Sequence, residues 1–153
     1  METTSIGSVP MKGHIKIQLN GKTVVDKSNT FTAVGDAHVA DQLAETPGED
    51  KMGFMAIGSG DSAFTTASTA LNDEIDRNSL AAGYPEQGAG GDDNDVIYKT
   101  TWAAGDGTGA IVEAGIFNSS ASGTMLAAST FPVINKGASD ILTITWTVSV
   151  GNS

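Results

Sequence analysis

A regular alternation of side chains near the end of the chain restricts the fold more than any other feature of the sequence. Its apolar members are Leu142, Ile144, Trp146, Val148 and Val150, and they alternate with Thr143, Thr145, Thr147 and Ser149. Successive side chains of a β-strand point to opposite faces, so this pattern predicts a strand with one face in a core. Trp146 is expected to lie in that core, while the hydroxyl-rich face contacts water or a partner.

Shorter runs elsewhere indicate that the protein is mostly β. Ile15, Ile17 and Leu19 alternate with polar residues and lead into Asn20-Gly21, after which residues 22–25 resume an extended pattern. Asn-Gly between two such runs is a strong hairpin signal, because both residues tolerate the positive φ of a type I′ turn. Further strands are predicted at 54–57, 75–80, 96–102, 111–117 and 124–131. Turns rich in Gly, Asn and Ser between short strands predict an antiparallel β-sandwich or a small barrel.

One segment has the periodicity of a helix, which predicts one embedded α-helix over about residues 33–45. The apolar positions of this pattern are Val34, Ala37, Val39, Ala40, Leu43 and Ala44. Thr32 is the predicted N-cap, and Pro47-Gly48 is the signal that ends the helix. Gly35 weakens the pattern, since a helical Gly costs ~1 kcal/mol relative to Ala. His38 is expected to be a partly exposed packing residue of this helix.

The domain organisation follows from the distribution of apolar residues. Residues 1–12 are small and polar and are expected to form a flexible N-terminal arm, and residues 13–153 a single β-rich domain. Residues 69–73 are expected to form one helical turn. Residues 83–95 hold four Gly, three Asp and one Glu, so we expect an exposed and mobile loop there.

Charge and composition exclude several classes of function. The chain has 8 Lys+Arg against 18 Asp+Glu, a net charge of −10, and Arg77 is its one arginine. A nucleic-acid partner is not expected, because such proteins need a cationic stripe to displace counterions. The chain has no cysteine, so it forms neither disulfides nor thiolate metal sites. No run approaches the ~18 apolar residues of a membrane span, so no membrane partner is expected either.

Two histidines and two glycine-rich segments are candidates for chemistry. His14 lies on the polar face of a predicted strand and His38 within the helix, and no motif places either beside an activated hydroxyl and an acid. Residues 105–109 resemble a phosphate-binding loop, but such a loop opens a helix, whereas Ile111 and the residues after it read as a strand. The interpretation as a turn is favoured, and the same holds for 58–61.

Acidic and aromatic residues offer weaker candidates. Residues 92–95 present oxygen ligands for Ca²⁺ without the spacing of an EF-hand, so a solvated loop is favoured. Asp73 and Glu74 are a pair of carboxylates, but adjacent residues of a strand face opposite ways, unlike the acids of a glycosidase. Trp102 and Trp146 are expected in the core rather than on a sugar. The sequence thus predicts no catalytic, cofactor-binding or metal-binding residue and no cofactor.

Several stretches taken together are recognisable. They are Met55-Ala56-Ile57-Gly58-Ser59-Gly60, then Thr69-Ala70-Leu71-Asn72-Asp73-Glu74 and Arg77, then Val112-Glu113-Ala114-Gly115-Ile116-Phe117-Asn118, Gly123-Thr124-Met125-Leu126-Ala127, Phe131-Pro132 and 134–147. In this order, over roughly residues 52–150, the chain resembles small structural proteins of tailed bacteriophages. It also resembles the N-terminal module of phage tail-collar fibre proteins.

The resemblance implies a structural role on the surface of the virion, with no catalytic residues to carry over. Since no fibre shaft follows the module, the expected function is that of a capsid decoration (cement) protein, which binds the major capsid protein and copies of itself as a homotrimer. One alternative is an attachment module of a tail fibre or baseplate, with tail or baseplate proteins as partners. A second and weaker alternative is a particle-associated enzyme that acts on glycans.

Overall fold

The structure, a computed structural model, describes residues 11–151 and is mostly β, with 49% of residues in strands and 8% in helix. Its elements in chain order are β1 (Met11–Leu19), β2 (Lys22–Ser28), β3 (Thr30–Phe31), α1 (Ala33–Leu43), β4 (Phe54–Gly58), β5 (Glu74–Ser79), β6 (Glu86–Gln87), β7 (Asp95–Trp102), β8 (Gly109–Phe117), β9 (Met125–Lys136) and β10 (Leu142–Val150).

The strands form two antiparallel sheets of five strands each. Sheet A has the order β2-β1-β10-β7-β6, and sheet B has the order β3-β9-β8-β4-β5. The sheets pack against each other around one large apolar cluster, to which both contribute. The predicted β-sandwich with one helix is therefore confirmed.

The last strand lies at the centre of sheet A and fills the core as its alternation predicts. Strand β10 spans Leu142–Val150 and pairs with β1 on one side and β7 on the other. Trp146 is 0% exposed and lies in a row with Ile15 of β1 and Tyr98 of β7. Trp102 is buried in the same core. The predictions that both tryptophans pack inward are confirmed.

The predicted hairpin is present between β1 and β2. Asn20 and Gly21 have φ angles of 51° and 82°, the positive values that a type I′ turn requires at both central positions. Strand β1 begins at Met11 and pairs with β10 from its first residue, so Met11 and Lys12 are part of the sheet and the assignment of both to the arm was wrong. The rest of the predicted arm lies outside the described residues.

The helix begins where the sequence predicts but buries a different face. The hydroxyl of Thr32 accepts a hydrogen bond from the Gly35 amide at 2.9 Å, as an N-cap does. Gly35 and His38 are the buried residues of α1, whereas Leu43, one of the apolar positions of the helical pattern, is 83% exposed. A Cβ on Gly35 would lie 2.4 Å from the carbonyl oxygen of Leu126, so close contact with β9 requires the glycine here.

Two loop predictions are corrected. Residues 69–73 form bends rather than a helical turn. Residues 83–95 are largely exposed as expected, but they contain strand β6, which pairs with β7, and the Gly88 amide donates to the carbonyl of Asp95 at 2.9 Å. Strand pairing thus gives this acidic segment the form of a short hairpin. The predicted strand at 124–131 continues to Lys136 because it follows β8 around a register shift.

Candidate functional site

Residues that carry the sequence resemblance meet on the outer face of sheet B. There the segment 59–73 runs across strands β4 and β8 and is held by side chains from three motif stretches. We call this set the motif cluster; its members are Gly58, Gly60, Leu71, Asn72, Asp73, Glu74, Arg77, Glu113, Gly115 and Phe117. The cluster joins residues that are far apart in the sequence, with hydrogen bonds spanning 40 to 53 positions.

Glu113 is the centre of the motif cluster. It lies on β8 and is 0% exposed. One carboxylate oxygen accepts from the backbone amide of Asn72 at 2.8 Å and from its side-chain amide at 3.1 Å, and the other accepts from Asp73 N at 2.7 Å and Gly60 N at 3.1 Å. A buried carboxylate is tolerated only when it is fully hydrogen-bonded, and bonds to a charged acceptor are the strong ones. Glu113 therefore fixes both ends of segment 59–73 to the sheet.

The glycines of the Gly58-Ser59-Gly60 motif are required by this close approach. A Cβ on Gly58 would lie 2.4 Å from both the Asp73 carbonyl oxygen and the Glu113 Oε2, and a Cβ on Gly60 would lie 2.2 Å from the Asn72 Cβ. The motif thus makes room for a strand pairing and a buried acid rather than for a phosphate. Gly58 ends strand β4 and no helix follows residues 59–61, so the motif is not a phosphate-binding loop, although these residues form a loop rather than a turn.

A second apolar cluster lies beneath the same segment. Leu71, Ala56, Phe117, Met125 and Ala128 are its buried members. Ala56, Gly115 and Ala128 face one another across β4, β8 and β9, so the sheet surface there carries almost no side chain. Leu71 fills this space: a Cβ on Gly115 would lie 3.1 Å from Leu71 Cδ2. The leucine of one motif and the glycine of another are therefore complementary parts of one contact.

Arg77 closes the other side of the motif cluster. Its side chain is 6% exposed and forms a two-point ion pair with Glu74, with nitrogen–oxygen distances of 2.6 and 3.1 Å. It also donates to the carbonyls of Ser119 and Ser122 at 2.9 and 2.8 Å, and its guanidinium lies 3.8 Å from the centre of the Phe117 ring. These contacts use the fork geometry and the planar face that distinguish arginine from lysine.

A strand irregularity makes the ion pair of Arg77 possible. Residues three apart on a regular strand point to opposite faces. However, the pairing of β5 with β4 shifts between Ile57 and Gly58, so that Ile57 faces Asp76 whereas Gly58 faces Glu74. This bulge adds one residue to β5, which places Glu74 and Arg77 on the same face. Sequence reasoning missed the contact because alternation alone does not reveal a bulge.

The other candidates from the sequence have structural partners. The Asp73 carboxylate accepts from the Ser59 hydroxyl at 2.6 Å, while Glu74 pairs with Arg77, so the two acids do not converge on one space. Residues 105–109 lead from β7 into β8 with no helix between, which confirms the turn. His14 is exposed on β1 and contacts Asp26 of β2, as expected for the polar face of a strand.

His38 is more deeply buried than predicted. It is 4% exposed, and its Nδ1 lies 3.3 Å from an Oε1 of Glu49. The same Glu49 oxygen accepts from the Thr124 hydroxyl at 2.8 Å. The prediction of a partly exposed histidine was wrong, because the chain after α1 returns with an acid that satisfies the imidazole inside the fold.

A pair of carboxyl groups lies beside the core tryptophan of β7. Burial, and then the neighbouring Asp106 carboxyl, raise the pKa of Asp76 above its ordinary value. Asp106 also accepts a hydrogen bond from the Asn78 side-chain amide at 2.8 Å. Within residues 11–151, Asp76 Oδ2 and the fully buried Trp102 Nε1 have no partner that meets hydrogen-bond geometry. The two carboxyl groups therefore lie where β5 meets the turn after β7, and the protonated form of Asp76 is favoured there.

The described residues contain neither a metal-binding cluster nor a membrane-spanning helix. Within 11–151, no group of three or more His, Asp or Glu side chains is placed to hold a metal ion, and that includes the acidic residues 92–95. Helix α1 has 11 residues, and the described part of the chain contains no helix with the length and apolar character of a membrane span.

The outer face of sheet A carries a row of polar side chains across its three central strands. Lys16, Thr145 and Lys99 face one another across β1, β10 and β7. The next row places Thr143 beside Thr101, with their hydroxyls 3.3 Å apart. One lysine lies on each side of Thr145, and Asp26 of β2 continues the row beside Lys16, so the face carries hydroxyls and charges of both signs. The hydroxyl-rich face predicted from the last strand lies here.

Comparison with known proteins adds no relative: no family model, no curated protein and no solved structure matches this chain significantly. The class that the fold defines is a two-sheet antiparallel β-sandwich with one helix, in which a long segment is fixed across the outer face of one sheet.

Proposed function

We propose that this protein is a structural component of a tailed-phage particle, namely a capsid decoration protein that binds and stabilises the assembled head. The observation that carries the proposal is the motif cluster. The residues that carry the resemblance to phage structural proteins hold segment 59–73 on sheet B. Glu113 and Arg77 form their hydrogen bonds with other groups of the same domain. They therefore serve to build a rigid scaffold, which suits a protein whose role is to occupy a site on a shell.

The outer face of sheet A is the surface that we assign to the capsid. It offers hydroxyls and the two lysines Lys16 and Lys99, while the rest of the chain is strongly acidic. Charged groups of this kind direct which surfaces meet and in which orientation. An outer capsid surface that bears carboxylates is the matching partner, and a trimer at a local three-fold position would present three copies of this face.

Copy number in purified particles tests the proposal. A decoration protein approaches the major capsid protein in abundance, so quantitative gel densitometry should give a ratio of the order of one copy to a few capsid subunits. A trace band would favour the alternative, an attachment module of the tail fibre or baseplate, which the sequence also resembles. Antibody labelling of intact virions, on heads or on tails, decides between these positions.

Charge reversal on sheet A tests the assigned surface. Lys16→Glu and Lys99→Glu should each weaken binding of the purified protein to undecorated heads, with the largest loss at low ionic strength, where charge contacts are least screened. Lys22→Glu is the matched control, because it makes the same change in net charge on an exposed residue of β2 away from this row. Equal losses in all three variants would contradict the assignment.

A further inference from the structure

A groove with mainly apolar walls opens beside the C-terminal end of α1. Its volume is about 220 Å³, and none of its lining residues belongs to the polar row on the outer face of sheet A. An apolar cavity of about 150 Å³ holds a benzene ring, whereas sites for whole small-molecule ligands measure roughly 300–1,000 Å³. The groove therefore has room for one aromatic side chain. Its apolar lining residues are Val39, Leu43, Met52, Pro85, Tyr98 and Leu126.

His38 presents a hydrogen-bond acceptor to this groove. It is buried, yet it belongs to the lining. Its Nδ1 lies 3.3 Å from the Glu49 carboxylate, which only accepts hydrogen bonds, so Nδ1 carries the proton and Nε2 is the unprotonated nitrogen. Within residues 11–151 no group bonds to Nε2, and Nε2 is not among the fully buried atoms that lack a partner. The nitrogen therefore reaches solvent through the groove.

The orientation of the His38 ring is fixed by contacts within the domain. The Glu49 oxygen that contacts His38 also accepts from the Thr124 hydroxyl at 2.8 Å and from the Asn118 side-chain amide at 3.3 Å. The backbone amide of Glu49 in turn donates to the Asp41 carboxylate at 2.9 Å. A group held in this way loses little conformational entropy when it binds a partner, which favours binding.

Two hydrogen-bond donors also line the groove. The Tyr98 hydroxyl has no partner in the described part of the chain, and burial raises the pKa of Tyr98 to about 12, so the hydroxyl stays protonated. Lys51 is exposed and forms no ion pair within residues 11–151. One acceptor and two donors in an apolar groove match a hydroxyl group, which donates one hydrogen bond and accepts others. A carboxylate cannot donate to His38 Nε2, and Lys51 repels an ammonium group.

We propose that the groove binds the side chain of a tyrosine from a partner protein, with the phenol hydroxyl donating to His38 Nε2. The apolar walls take the ring, and the polar atoms take the hydroxyl. A buried tyrosine hydroxyl usually has a hydrogen-bond partner, and tyrosine is enriched in the centre of protein interfaces. The exposed Leu43 at the rim would pack against the chain that carries the ring.

The tyrosine belongs to a different protein rather than to a second copy of this chain. The sequence contains two tyrosines, Tyr84 and Tyr98. Tyr98 is a wall of the groove itself, and Tyr84 is half-buried in its own domain. Neither is free to enter the groove of another copy. The inference does not rest on the proposed function, because it concerns binding by the isolated protein.

Titration with blocked amino acids tests the role of the hydroxyl. In an NMR titration N-acetyl-tyrosine amide should bind saturably and shift the side-chain signals of Val39, Met52 and Leu126 and the Nε2 signal of His38. N-acetyl-phenylalanine amide is the matched control, since it lacks only the hydroxyl. It should bind roughly 2- to 12-fold more weakly, the range that one net hydrogen bond supplies, and leave the Nε2 signal in place. Equal binding of the two amides, no binding of either, or an unchanged Nε2 signal with the tyrosine compound would overturn the proposal.

A variant that fills the groove tests its location. Val39→Phe should abolish binding of N-acetyl-tyrosine amide, because the larger side chain occupies the space of the ring. Val34→Phe is the matched control, since it makes the same change on α1 at an exposed residue outside the lining. Circular dichroism checks that both variants fold, and the comparison of the two amides uses the natural protein. Undiminished binding by folded Val39→Phe would overturn the proposal.

The free phenol p-cresol separates a side chain from a small molecule as the source of the ring. It should bind in the same groove as N-acetyl-tyrosine amide and compete with it. Binding of p-cresol without binding of the amide would mean that the groove excludes a ring carried on a peptide chain, which would overturn the assignment to a partner protein.

Discussion

Replacement of Glu113 by Gln is the sharpest test of how segment 59–73 is held. The change preserves the shape of the side chain but puts an NH₂ group in place of one oxygen. In the wild type each carboxylate oxygen accepts two hydrogen bonds. In the variant the NH₂ group of Gln faces two N–H donors and can accept from neither. The other two bonds remain but lose the negative charge that strengthens them. The defect is therefore electrostatic, with no cavity.

The expected cost follows from the count of bonds. A hydrogen bond to a charged group contributes ~1.5–3 kcal/mol, so losing two gives roughly 3–6 kcal/mol. Asn72 and Asp73 are exposed residues, and their amides can turn towards water when the acceptor is lost. We therefore expect the lower end, a loss of about 3 kcal/mol in the free energy of unfolding. For a chain of this size that corresponds to a fall of ~6–12 °C in Tm.

Urea unfolding of wild type and Glu113→Gln, with hydrogen exchange at individual amides, measures both the global and the local effect. The amides of Asn72 and Asp73 should exchange faster in the variant than those of the core strands. Glu86→Gln is the control, because it makes the same chemical change on an exposed residue of β6 and should alter stability by less than ~0.5 kcal/mol. A loss below ~1 kcal/mol in Glu113→Gln, with unchanged exchange at these amides, would refute this account of the motif cluster.

Three further changes test other contacts. Gly115→Ala should cost ~1–3 kcal/mol in urea unfolding, because its Cβ would lie 3.1 Å from three side-chain atoms. Gly53→Ala should be nearly neutral, because its Cβ would make only an ordinary contact, at 3.7 Å from the Lys51 carbonyl oxygen. Trp146→Ala should cost ~3–5 kcal/mol, and a cost below ~1 kcal/mol would contradict its burial. The raised pKa of Asp76 means that the folded state binds the carboxyl proton more tightly than the unfolded chain does. Protonation of Asp76 therefore stabilises the fold below pH ~4, and this stabilisation is lost as pH rises through the folded pKa. Asp76→Asn cannot lose a proton, so its free energy of unfolding relative to wild type should increase above pH ~4 in unfolding curves measured across pH; a decrease would contradict the sign of the shift.

Local patterns in the sequence were enough to predict most strands and their inward faces. The alternation over 142–150 gave the bounds of β10 and the burial of Trp146, because period two is a property of the strand itself. Asn20-Gly21 gave the hairpin, because positive φ is a property of those two residues. Thr32 gave the start of α1, since an N-cap acts on amides within the next three positions.

The motif cluster needed the tertiary structure, although one signal was available. An acid at position 113 inside the apolar run 111–117 is the kind of residue that folds only with buried partners. Its partners, however, are Gly60, Asn72 and Asp73, which lie 40 to 53 positions earlier, and no local pattern relates them. The expected helical turn at 69–73 failed for the same reason, because those amides bond to a distant carboxylate.

Helix α1 also combines a feature that the sequence predicts with one that depends on the tertiary structure. Its sequence pattern gives the helix and its start. However, the helix rests on β9 through Gly35 and buries His38, while the apolar Leu43 is exposed. Which residues of the helix are buried depends on the segments that pack against it. The backbone of β9 lies too close to position 35 for any side chain there, and Glu49 contacts His38. Periodicity and turn chemistry act between neighbours in sequence, and so the sequence alone determined the elements. Contacts between sheets and segments act across tens of residues, and so only the tertiary structure decided which polar groups the fold buries and which apolar ones it leaves exposed.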